Sequence, residues 1–358
     1  MIPSQNQLAR QRLRLGISNV GFWVVTAGLG LVFIGAARLS PLTGCLLFLA
    51  VVFVQAGFDW VGGALLMPKP QPEPAVFLRR WGRGMLVHTG VMAGLGALSY
   101  ASLRLTSGFG AGVFVGMLAL AFARKPLLRL LTGAAVREFP GQGGQMWVAT
   151  ITDPAFTGGV VGLGNGARAL FPAAWLETLP AADTGLELRR RTWQIAQSLP
   201  RRDFILALGW NLVGAGLGGW LFGWAQRSPV DALLGHACWM TLWTFLSLLV
   251  FPGLSRASVF AADRAVASER LDAVSWIERF AGLIGEDGNA DAALQAIFYP
   301  IPSTARRLQA LGKRGGGVGL GNLARNHLFY SWAGFTLLGR AVHCNVGRPA
   351  LWVFPPSA

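Results

Sequence analysis

Arg189, Arg190 and Arg191, followed one helical step later by Gln194, stand inside Leu-Glu-Thr-Leu-Pro-Ala-Ala-Asp-Thr-Gly-Leu-Glu-Leu-Arg-Arg-Arg-Thr-Trp-Gln-Ile (176–195), between two hydrophobic blocks. A guanidinium is permanently cationic, donates up to five hydrogen bonds and has no lone pair, so it can neither ligate a metal nor accept a proton. Two placements suit such a run. On a solvated or headgroup-facing helix side each basic residue gains about 1 kcal/mol from anionic lipid. Inside a protein the cations need partners, and Glu187 and Asp263 are the candidates. Other residue types with chemistry are scattered. His88, His236, His327 and His343 include no pair at the i, i+4 spacing that places two imidazoles on one helix face, and Cys45, Cys238 and Cys344 are too dispersed for a disulfide framework or a metal cluster. The Gly-rich runs 162–166 and 315–321 lack the Lys-Ser/Thr ending of a phosphate loop. Asp59, Asn211 and His236 fall in apolar stretches, where polar groups are expensive and mark a pathway, or, for Asp59 near a span end, reach the interface.

The elements that must position these groups are set by hydropathy. Of 358 residues, 53% are hydrophobic and only 13% charged, which is the balance of a polytopic membrane protein. Segments 17–37, 42–66, 84–105, 108–123, 204–226 and 230–252 are each long and apolar enough to cross a bilayer core. A seventh, 327–343, is interrupted by Arg340 and fits a surface helix as well as a span. The formal net charge of +15 is distributed in a way that argues against nucleic acid as a partner. Arg10, Arg12 and Arg14 precede the first span, Lys69, Arg79, Arg80 and Arg83 follow the second, Arg124, Lys125 and Arg129 follow the fourth, and Arg201 and Arg202 precede the fifth. This alternation implies cytoplasmic termini and two cytoplasmic polar segments. Gly108, Gly112 and Gly116, and Gly214 and Gly218, have the spacing that lets helices approach closely in lipid.

Five regions follow. Residues 1–131 form two membrane hairpins, 132–203 a first polar segment, 204–252 a further membrane hairpin, 253–311 a second polar segment, and 312–358 a Gly-rich linker with an apolar end. In the first polar segment, Gln145–Ile151 and Gly158–Gly164 have the β-branched, Gly-bounded pattern of short strands, and Leu186–Gln197 the pattern of a helix. Arg256–Ile284 is expected to be helical.

Four separated matches, in order, resemble the HtpX-type membrane zinc peptidases related to the CAAX prenyl proteases. Pro154-Ala-Phe-Thr-Gly-Gly159 resembles that family's N-A-F-A-x-G strand, along whose edge substrate lies. Ala169-Leu-Phe-Pro-Ala-Ala-Trp-Leu176 resembles the entry to the zinc helix. Ser255-Arg-Ala-Ser-Val-Phe-Ala-Ala-Asp263 resembles S-R-x-x-E-Y-x-A-D, and Phe298–Leu311 resembles T-H-P-P-x-x-x-R-I-x-x-L with Arg306 in the Arg position. The fold class this implies is an α-helical polytopic membrane protein with a small cytoplasmic α+β gluzincin-like domain split by a membrane hairpin, in a bacterial-type plasma membrane.

The catalytic part of the resemblance fails. In H-E-x-x-H two His hold zinc from one helix face and Glu activates the bound water. The corresponding positions here carry Arg190, Arg191 and Gln194, and the third ligand falls on Val259. Asp263 and Arg256 are kept and read as structural. The sequence therefore leads to a non-catalytic relative without a cofactor. It would act as a binding or regulatory module whose peptide-binding edge is Ala155, Phe156, Thr157, Gly158 and Gly159, and whose partners are membrane lipid and a membrane protein or peptide. An active zinc endopeptidase with a displaced metal site and a small-solute carrier are the alternatives. If the arginines fill the old metal position, one of 189–191 should reach Asp263 or Glu187, and Val259 should pack on Trp193 or Ile195.

Overall fold

A computed structural model describes residues 5–34, 38–66, 73–141, 144–267, 273–284, 301–312, 317–331, 333–342 and 345–356. Six helices are long and apolar enough to cross a membrane. They are α1 (Gln5–Ile34), α2 (Pro41–Trp60, continued by a π-helical turn Val61–Leu65), α3 (Pro74–Thr106), α4 (Gly110–Thr132), α7 (Leu199–Phe222) and α8 (Pro229–Ala267). Their ends follow local chemistry. The Ser40 hydroxyl accepts from the Thr43 N–H, and Pro41 opens α2 without needing a donor. Gly133, at φ 72°, closes α4 in the left-handed conformation. Outward side chains such as Val32 and Phe53 are 71% and 80% exposed, as a lipid-facing surface requires.

The glycines pack in two ways. At Gly112 a Cβ would meet Ser102 Cβ at 3.0 Å, so α3 and α4 do approach through it. Gly214 and Gly218 of α7 do something else: they make room for indole rings of α8, and a Cβ there would meet Trp243 or Trp239 at 2.4 Å. Those rings donate from Nε1 to the Trp210 and Gly214 carbonyls at 2.9 and 2.7 Å. Spacing alone could not distinguish backbone contact from a slot for a large ring.

Between α4 and α7 the chain builds a four-stranded sheet, β1 (Val136–Gly141), β2 (Gly144–Ala149), β3 (Gly159–Val161) and β4 (Arg168–Pro172), in the order β1-β2-β4-β3. β1 pairs antiparallel with β2, β2 parallel with β4, and β3 antiparallel with β4 through Gly159↔Leu170. Short α5 (Ala173–Thr178) and the longer α6 (Ala181–Ala196) follow. A second core of Val148, Phe171, Trp175, Leu186, Leu188 and Val259, joined by Trp276 and Phe280 of α9 (Ala273–Ile284), unites this unit with α8. Val259 thus shares this core with Leu186 and Leu188, and the half-buried Trp193 and Ile195 are not part of it.

Three expectations need correcting. The boundary at 252 is not a break, since α8 runs on through Pro252 to Ala267 and carries Ser255–Asp263 out of the apolar region on one continuous rod. The stretch 317–322 is not a free linker. Gly319 and Gly321, at φ 72° and 87°, lie where a Cβ would strike Ser258 and Asp203, respectively. The segment 327–343 is neither span nor surface helix. After α10 (Thr304–Leu311), the chain forms α11 (Leu323–Tyr330), helical turns over 334–341 and α12 (Pro349–Val353), and all of these are interior. Phe329, Phe335, Leu338, Trp352 and Phe354 are each at most 2% exposed. Arg340 does not face solvent: it pairs with Asp59, donates to His88 Nδ1 at 2.7 Å and lies over the Trp352 ring. Asp59, for which reaching the interface is one of the two readings of the sequence, is 0% exposed. His343, Cys344 and residues 298–300 lie outside the described residues.

Candidate functional site

The inward face of α6 is polar. Asp183, Glu187, Arg190, Arg191 and Gln194 recur at three- and four-residue spacing, which puts them on one side of a helix, and all five are buried. Only Arg189 points out. The exposure that a solvated or headgroup-facing side requires is therefore found at one arginine of the three.

Arg190 and Arg191 make different connections. Arg190 Nε donates to Asp263 Oδ1 of α8 at 2.9 Å, and Arg307 of α10 grips the same carboxylate with Nε to Oδ2 at 2.8 Å and Nη2 to Oδ1 at 2.9 Å. One acid thus joins three helices, with all three side chains at most 2% exposed. The sequence match singled out Arg306; that residue is exposed, and its neighbour Arg307 makes the contact. Arg256 lies half-buried on α8. Arg191 Nε donates to Glu187 Oε1 at 2.8 Å, Nη1 to the Leu170 carbonyl at 2.5 Å and more distantly to Gly159, and Nη2 to the Thr157 carbonyl at 2.6 Å. Its plane lies over Phe171, 4.4 Å from the ring centroid. Burial pushes the Arg191 guanidinium below its ordinary value, and the Glu187 carboxylate opposes that shift.

This arrangement changes the reading of residues 155–159. Only Gly159 belongs to a strand, and Ala155, Phe156, Thr157, Gly158 and Gly159 are all buried. The carbonyls of Thr157 and Gly159 accept from Arg191, which bonds Leu170 of the neighbouring strand β4 as well. Gly158, at φ 77°, is required by this crowding, because a Cβ would stand 1.9 Å from the Leu170 oxygen. The remaining space is a cavity of about 30 Å³ with Gly159, Val160, Arg191 and Gln194 on one side and Asp203, Asn322, Asn326 and Pro355 on the other. That volume accommodates about two waters. The far wall comes from α7 and the C-terminal segment. Asp203 accepts from the Asn322 N–H at 3.0 Å and Asn326 Nδ2 at 2.6 Å, and Ser255 Oγ accepts from the Ala324 N–H at 2.9 Å.

Zinc does not fit this donor set. Arg190 and Arg191 have no lone pair, Val259 has no polar atom, and Gln194 contributes at most an amide oxygen. A rebuilt site would draw on the histidines, and two of these use their lone pairs internally. His88 Nδ1 accepts from Arg340 while Nε2 donates to the Phe335 carbonyl at 2.9 Å. Ser247 Oγ donates to the Thr244 carbonyl, so it accepts from His327 Nδ1–H at 3.0 Å, and Asn211 Nδ2 then donates to Nε2 at 3.2 Å. Burial lowers His327 to about 3, in keeping with a neutral ring. His236 stacks on Phe109 at 3.9 Å. Among the described residues no three His, Cys, Asp or Glu side chains converge.

Sequence reasoning missed Arg307, the Asp203 contacts and the Asp59–Arg340 pair. The last had a signal: an isolated acid and an isolated base, each in an apolar stretch, are each other's obvious partners.

No protein-family model and no curated protein sequence matches the chain. Its structure is similar to the crystal structure of Ste24p from S. mikatae, with a TM-score of 0.60 over 81% of this chain and 80% of that one, at 14% sequence identity. At that identity the likeness establishes the fold. The chain is thus a multi-pass membrane protein with an Ste24p-like fold.

Proposed function

We propose that this protein is a non-catalytic relative of the membrane metallopeptidases, kept as a binding or regulatory module in the bilayer. The observation that carries the reading is Arg191. At the position where a peptidase of this type would hold its general base, the chain places a cation that donates to the Leu170, Thr157 and Gly159 carbonyls and to Glu187. The same side chain stands in place of the base and ties residues 157–159 to β4. A peptide adding to β3 would meet the Asn322 and Asn326 wall across the small cavity beside Gly159.

The test is turnover of an unstructured polypeptide by detergent-purified protein, with and without added zinc. No chelator-sensitive cleavage is expected, and cleavage abolished by chelator and restored by zinc would overturn the reading. The distribution of basic residues further supports cytoplasmic termini. Reporter fusions at residues 150 and 290 should both score as cytoplasmic; an external score at either would reverse the proposed orientation.

A further inference from the structure

A second cavity, of about 610 Å³, lies where the membrane bundle meets the sheet. That is within the size range of small-molecule sites. One wall is the first turns of α3, with Phe77, Arg80 and Trp81, and the opposite wall comprises the end of α4, the loop after β2 and the turn around Pro349. Three features of this groove differ from those of a plain packing defect.

The first is charge. Exposed Arg80 lines the groove, the exposed Arg83 guanidinium lies against Gly133 of the opposite wall, and of the two lining acids Asp153 is paired with Arg348, while Glu73 shows no arginine partner among the described residues. Arg80 and Arg83 are tethered across the groove, Arg80 Nη1 to Thr152 Oγ1 at 2.9 Å and Arg83 Nε to the Leu130 carbonyl at 2.8 Å. One such bond leaves several of a guanidinium's five N–H groups for an anion. The second is an orphan donor. Trp81 lines the groove, and its Nε1–H is buried without a hydrogen-bond partner. The third is the surface alongside. Leu65, Leu78 and Leu130 are 64%, 53% and 50% exposed and lie within two residues of Gly63, Phe77 and Leu131 of the lining, so exposed apolar side chains adjoin the groove.

A phosphate diester at the arginines, an ester oxygen within reach of an indole N–H, and acyl chains along leucines are the parts of one molecule. Basic pockets between membrane helices select anionic headgroups in this way, and tryptophan favours that depth. We propose that this groove is a binding site for a single anionic phospholipid, its headgroup held by Arg80 and Arg83 and its glycerol ester region by Trp81. The site is separate from the α6–α8 cluster and does not depend on the function proposed above.

The experiment is native mass spectrometry of full-length delipidated protein titrated with phosphatidylglycerol or phosphatidylcholine. The expected result is a 1:1 phosphatidylglycerol adduct retained about tenfold better than phosphatidylcholine. Each arginine contributes about fivefold, so Arg80→Gln with Arg83→Gln should abolish most of the preference. These side chains are exposed, which leaves the fold intact. Trp81→Phe, which keeps the ring and removes the donor, should weaken retention several-fold for both lipids. Arg10→Gln with Arg14→Gln removes two charges elsewhere and should change nothing. Equal retention of the two lipids, an unaltered Arg80/Arg83 variant, or an equal loss in the Arg10/Arg14 variant would overturn the proposal. So would displacement of the adduct by millimolar inorganic phosphate, which would indicate a site for a free anion.

Discussion

Asp263→Ala should destabilise the protein by about 3–5 kcal/mol, the cost of removing one member of a buried ion-pair network. The carboxylate receives three charge-assisted hydrogen bonds from Arg190 and Arg307. Removing it leaves two cations in a site that is at most 2% exposed, between α6, α8 and α10. Measured by denaturant titration in mixed micelles, the variant should show an early transition in which α6 and α10 separate from α8. The large loss does not mean that the triad contributes that much net stability, because assembling three buried charges itself costs desolvation. A triple variant, Arg190→Met, Asp263→Leu and Arg307→Met, should therefore recover most of the stability. A loss under about 1 kcal/mol for Asp263→Ala, the range of an exposed ion pair, would show that these helices are held by packing alone.

The second large effect is expected at Asp59→Leu. Asp59 accepts from Arg340 and from the Gly347 N–H at 2.8 Å, and both side chains of the pair are at most 1% exposed. Without the acid, Arg340 keeps the His88 imidazole and the Trp352 face but has no counter-charge inside the bundle. The cost is again about 3–5 kcal/mol, and it should be local. Limited trypsin digestion should open the chain at Arg325 and Arg340, only 5% and 1% exposed in the native protein, before the sheet is attacked. Combining Asp59→Leu with Arg340→Met should restore resistance. Digestion that remains unchanged in the single variant would mean that the C-terminal segment is retained by its aromatic contacts.

How far these features were legible in the sequence depends on the range of the interactions behind them. The six spans follow from composition, because crossing a bilayer needs length and apolarity and little else. β2, β3 and α6 carried local periodic signals. β1 did not: Arg137, Glu138 and Pro140 make it read as a loop, yet an edge strand paired on one side tolerates a proline. The pairing of an α6 arginine with Asp263 followed from charge accounting at positions whose side chains are not zinc ligands, whereas the choice of Arg307 over Arg306 turned on the phase of an eight-residue helix. The interior course of residues 323–356 was illegible. Mixed polar and apolar residues without a clear period describe a surface segment just as well as one whose polar groups meet distant partners such as Asp203, His88 and Asp59.

The central claim is that the α6–α8 site has exchanged metal ligands for an arginine and carboxylate network. The most direct measurement is the zinc content per chain of protein purified without chelator from zinc-replete cells. The expected result is well below one zinc per chain, unchanged by Gln194→Ala. One zinc per chain, lost when His236, His327 or His343 is replaced by Ala, would contradict the claim and identify a displaced metal centre.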